Sequence, residues 1–166
     1  MSIAAANSRI DDAETRAYAA QKRAEKRAAA EAIGVDTDYV DHFVETFYGR
    51  VRADDLLGPI FAERIADWPA HLGRMKAFWR SVLHNSGEFS GNPMVKHLAI
   101  PGLESRHFER WLMLFYAILK DAEGHPAATA LVGGRARMIA DSLLTGIAVH
   151  RDGLAGGSAG KDLPHV

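Results

Sequence analysis

The chain contains no cysteine. That absence excludes a disulfide framework, a thiolate nucleophile, Cys-ligated zinc and a Cys-held iron–sulfur cluster, so any metal must be held by His, Asp or Glu. A net charge is lacking too, since 20 Lys plus Arg stand against 21 Asp plus Glu. No strong field of one sign gathers nucleic acid, anionic lipid or an acidic substrate, and such partners are not expected. Long apolar runs are also missing: the longest, from Trp111 to Leu119, is about half of what a membrane span requires and reads as a buried helix. The N-terminus mixes charge among alanines without an apolar block or cleavage pattern, so nothing marks export and the cytoplasm is the default location. No segment shows the period-2 alternation of a half-buried strand. Gly-rich phosphate loops, H-E-x-x-H, G-x-S-x-G and a clear carboxylate dyad are absent as well, which removes the usual hydrolase and nucleotide signatures.

What is present is helical. Residues 1–34 form an Ala- and charge-rich stretch with high helix propensity but few large side chains to bury, and Gly34 ends it; this predicts a helical N-terminal arm. Residues 152–166 combine Gly, Ser and Pro with little to pack and predict a disordered tail. The working domain is then 35–151. Within it Val40, Phe43, Val44, Phe47 and Val51 repeat at the spacing of one helical face, behind Asp and Thr cap residues. A corner around Gly58 and Pro59 carries the apolar pair Ile60 and Phe61. The next helix starts at an Asp67 cap with Pro69 in its first turn, and its core face is Leu72, Met75, Trp79, Val82 and Leu83, with His71 four residues before Met75. A helix apolar nearly all round from Trp111 onward reads as central, and a last helix from Pro126 presents Leu131, Met138, Ile139, Leu143 and Ile147 as its buried stripe. The fold class is all-α, with five or six helices and short joints.

Chemistry is then left to histidines and aromatics. Of the eight histidines, His42, His84, His107, His125 and His150 lie at helix ends or among charged neighbours, and His165 is in the tail; all six read as solvated or capping residues. His97 differs. It sits in "GNPMVKHLAIPG", where Pro93 opens a turn or two of helix and Pro101 ends it, so its imidazole is aimed by backbone rather than by neighbours. A packed or capping role for His97 is the competing reading, as an amphipathic boundary role is for His71 and a core role for Tyr48 and Trp111.

Five stretches in order, "FYGRVRADDLLGPIF", "WPAHLGRMKAFWRSVL", "FSGNPMVKHLAIPGL", "HFERWLMLF" and "RARMIADSL", resemble the truncated haemoglobins of group III, over about residues 38–150. The N-terminal arm and Gly-rich tail lie outside the resemblance. It implies a two-over-two helical sandwich around haem b (iron protoporphyrin IX), with His97 as the proximal iron ligand and the opposite position free for O2, NO or a related molecule. It further implies a distal pocket of Tyr48, His71, Met75 and Trp111, with Tyr48 and Trp111 donating hydrogen bonds to a ligand that gains negative charge. Phe61 is expected on the porphyrin face, Trp79 beside it and Lys96 as a propionate partner. Reversible binding of a diatomic ligand, of the oxygen-carrier type, is the leading expectation. A haem enzyme for nitric oxide dioxygenation or peroxide reduction, fed by a separate reductase, is the alternative, and a cofactor-free helical interaction module is the third reading.

Overall fold

A computed structural model describes residues 3–122 and 124–166, with side chains from residue 12 onward. Among the described residues the regular structure is all helical: α1 (Ile3–Ala32), α2 (Thr37–Arg52), α3 (Gly58–Arg64), α4 (Trp68–His84), α5 (Pro93–Leu98), α6 (Ser105–Asp121) and α7 (Pro126–Asp152), then a 3-10 turn at Gly153–Gly156. The expected boundaries have local causes. Asp36 caps α2 by accepting the Tyr39 N–H at 2.8 Å, and Asp67 caps α4 by accepting that of Ala70 at 2.9 Å. At its far end α4 stops at Asn85, which adopts a left-handed conformation (φ 55°).

Two layers of two helices result. Helices α2 and α4 pack together, α6 and α7 pack together, and the layers meet where α2 crosses α6 and α4 meets α7. The shared core is the predicted face of α2 with Tyr48 added, closed by Leu112, Phe115 and Leu119 of α6. Full burial of such a side chain contributes roughly 1.5–3 kcal/mol, so this aromatic and aliphatic seam dominates stability. Helix α3 packs on α2, and the short α5 leans on α7. The C-terminal part of α1 lies on α4, where Ala30 is buried and Lys26 Nζ donates to the Val82 carbonyl at 3.0 Å, satisfying an acceptor in the last turn of α4.

Several expectations are corrected. Residues 152–166 do not hang free: Tyr116 Oη donates to the Pro164 carbonyl at 2.8 Å, Arg137 donates to the Leu163 and Lys161 carbonyls, and Leu163 is buried. The small residues of this segment permit close approach, since a Cβ on Gly156 would strike the Ala148 backbone. Of the expected stripe of α7, Leu143 is buried and Leu131, Ile139 and Ile147 pack part-buried against the core, but Met138 is 58% exposed, and the fully buried line also runs through Ala128, Val132, Ala136, Ala140 and Leu144. Alanines let α7 sit close, and their low hydrophobicity hid that face. Helix α6 is not enclosed on all sides, for Met113 is 56% exposed. His84 is neither solvated nor a cap: it is buried, with Nε2 2.7 Å from the Val35 carbonyl that the Gly34 turn brings over the end of α4.

Candidate functional site

Between the layers lies a cleft of about 590 Å³. That falls in the range of roughly 300–1,000 Å³ typical of small-molecule and cofactor sites. All eight residues singled out from the sequence line it: Tyr48 from α2, Phe61 from α3, His71, Met75 and Trp79 from α4, Lys96 and His97 from α5, and Trp111 from α6. A smaller apolar cavity of about 80 Å³ adjoins it, sharing Phe61, His97 and Trp111 and reaching Leu57, Leu103 and Phe108.

His97 is held by chemistry local to its own six-residue helix. Asn92 caps α5 by accepting the Val95 N–H at 3.2 Å, and Pro93 occupies the first turn, where its missing N–H is harmless. The imidazole Nδ1 stands 2.7 Å from the Pro93 carbonyl oxygen. A carbonyl can only accept, so Nδ1 carries the proton and Nε2 presents its lone pair. Such a bond to the second ring nitrogen is what orients an imidazole as a metal ligand.

The polar groups contributed by α2, α4 and α6 are held by packing. Phe47 touches both Tyr48 and Trp111 edge-on, at centroid distances of 5.1 and 5.2 Å, and Trp111 stacks on Phe115 at 5.1 Å. Tyr48 meets His71 edge-on at 5.3 Å and Phe61 at 5.8 Å. Burial pushes the Tyr48 hydroxyl far above the usual phenol range, so it stays protonated and can donate. Neither that hydroxyl nor the Trp111 indole N–H is hydrogen-bonded to another described residue. The Nε2 of His71 is buried without a partner, and burial, helped by the positive charge of Arg74, lowers the His71 pKa and keeps the ring neutral near pH 7.

The segment between α4 and α5 closes one side. Phe89 packs edge-on against Phe78 at 5.1 Å, its N–H donates to Ser81 Oγ at 3.0 Å, and Arg80 bonds Glu88 while reaching back to Asp41. Gly91 leaves room for that ring, since a Cβ there would lie 2.6 Å from the tip of the Phe89 side chain and push it aside. Arg64, Arg74 and Lys96 are the charged residues on the lining, all exposed and with no carboxylate on the cleft wall, although Arg64 donates to its neighbour Glu63 at 3.2 Å outside it. Sequence reasoning missed Phe89, Arg64 and Arg74. A lone Phe in the polar run "NSGEFSGNP" was a signal for the first, whereas the two arginines look like any solvated helix face.

The donor set decides what would fit. Among the described residues no group of three or more His, Asp or Glu side chains could hold a bare ion. A metal at His97 would therefore take at most two of its bonds from such side chains, with the others supplied by a chelate large enough to fill an apolar cleft. A planar, largely apolar chelate bearing carboxylates matches the lining, its acidic groups meeting the cations.

No protein-family model matches the chain. It is 33% identical over 110 residues to the group 3 truncated hemoglobin of Campylobacter jejuni, a match spanning 64% of this chain and 86% of that protein. The crystal structure of group III truncated hemoglobin from Campylobacter jejuni superposes with a TM-score of 0.60 at 32% identity, covering 65% of this chain and 87% of that one.

Proposed function

The chain belongs to the group III truncated haemoglobins, and from that premise we propose that it holds haem b in the cleft through His97 and reversibly binds O2 or a related diatomic ligand. When bound by one neutral imidazole, haem iron offers a vacant coordination position to such a ligand. One observation carries the reading: an imidazole with Nδ1 tied and Nε2 free shares its cleft with three polar groups that have no partner among the described residues, those of Tyr48, Trp111 and His71.

In this reading His97 is the metal ligand. Phe61 and Trp79 pack against the ring system, and Lys96, joined by Arg64 and Arg74, neutralises its carboxylates. Tyr48 and Trp111 present an O–H and an N–H on an aromatic-lined wall of the cleft, where a hydrogen bond to a ligand gaining negative charge is stronger than in open water. His71 adds a third polar edge, and Met75 fills the apolar remainder.

The test is a hemin titration of the wild-type chain and His97→Ala, followed by spectra under O2 and CO. Wild type should bind one hemin per chain, with reversible spectral changes under each gas. The variant should bind hemin at least about tenfold more weakly. Equal affinity in the variant refutes the ligand assignment, and sustained consumption of nitric oxide in the presence of O2 would replace reversible binding with catalysis.

A further inference from the structure

Outside the cleft, one buried carboxylate has no role in the reading above. Asp54 follows α2 in the turn before α3, and its side chain is only 3% exposed. Its Oδ1 accepts the N–H groups of Leu56 and Leu57 at 3.1 and 2.9 Å, which shapes the turn that starts α3. Its Oδ2 accepts from Arg110 Nε at 2.7 Å and lies 2.6 Å from a second guanidinium nitrogen. The two residues are 56 positions apart, and Arg110 immediately precedes Trp111.

Two nitrogens of one planar guanidinium on one oxygen restrict both the rotation of α6 about its axis and its slide along it. A slide of one residue moves a side chain by about 1.5 Å and turns it by about 100°. The turn pinned at the other end opens the helix that carries Ile60 and Phe61 into the cleft. We propose that Asp54 and Arg110 form a positioning pair that fixes the indole of Trp111 and the α3 wall of the cleft relative to each other and so tunes ligand release. The pair touches neither ligand nor cofactor. The ligand readout rests on the haem reading, but the geometry does not.

Asp54→Asn isolates the inter-helix half of the pair. The amide oxygen can still accept from Leu56 and Leu57, while the amide N–H groups oppose the guanidinium donors. Arg110→Lys keeps the charge and loses the fork, and serves if the first variant fails to fold. In haem-free protein, the indole N–H resonance of Trp111, assigned with Trp111→Phe, should shift or broaden in both variants, more in Asp54→Asn. In hemin-loaded protein, O2 release should accelerate by about tenfold in Asp54→Asn and less in Arg110→Lys. The C–O stretching frequency of the CO complex should shift, with hemin stoichiometry unchanged. A lower melting temperature with an unmoved indole resonance overturns the proposal and leaves the pair a purely structural one. Failure of wild type to take hemin would sink the haem reading instead, and the resonance would still decide the positioning claim.

Discussion

The residues that line the cleft are held by two different means. Tyr48 and Trp111 grow from long helices whose neighbours, Phe47, Leu112 and Phe115, are fully buried, so close packing holds these rings, with the Asp54–Arg110 pair adding a directional restraint beside Trp111. His97 grows from a helix of six residues, none of them buried, with Val95 57% exposed. What fixes it is backbone chemistry: a proline in the first turn, an Asn92 cap and the bond from Nδ1 to the Pro93 carbonyl. Packing tolerates no change of volume but makes few demands on direction. A hydrogen bond from imidazole to carbonyl is directional and can be built on a short exposed segment.

The difference should be visible when each region is broken. Phe115→Ala removes the ring shared by Phe43, Phe47, Trp79 and Trp111. We expect global destabilisation of about 3–5 kcal/mol in urea unfolding, with all four helices of the two layers melting in one transition. A loss below about 1 kcal/mol would mean that the aromatic seam relaxes, and packing could not then be what holds Tyr48 and Trp111. Asn92→Ala should cost only about 1 kcal/mol. Its effect should be confined to α5, read as faster amide exchange over residues 94–98 with the rest of the chain protected as before. A loss of protection spread across α2 and α6 would erase the distinction between the two regions.

The same contrast explains what could be read from the amino-acid order. The face of α2 and the caps at Asp36 and Asp67 were readable because local rules decide them. His97 stood out because prolines and a capping Asn leave their mark in the sequence itself. The alanine stripe of α7 was invisible, since close approach depends on what lies opposite. The C-terminal segment looked unstructured because its holding bonds use its own backbone groups, which any sequence possesses. The side chains that hold it are those of Tyr116 and Arg137, up to 48 residues away, with Thr145 accepting the Gly160 N–H at 3.2 Å. Arg64 and Arg74 were unreadable for a related reason: a solvated cation and one that rims a cleft have the same local pattern.

The two histidines of the cleft give the smallest and sharpest test of the comparison. His97 has its Nδ1 bonded, whereas His71 has a buried Nε2 with nothing to bond. Burial, with the Arg74 charge second, lowers the His71 pKa below the ordinary value of 6.5. Below that value the unfolded chain binds a proton at this ring that the folded chain resists, so stability must fall as pH drops from 6.5 toward the folded pKa. Above it both states are neutral and the ring contributes no pH dependence. His71→Leu should therefore flatten the stability profile below about pH 6.5, a small effect because the ring is only half-buried. Identical profiles for wild type and variant would show that water reaches Nε2 freely. The α4 side of the cleft would then be wet rather than sealed by packing, and the donors beside it would lose the low dielectric that makes them effective.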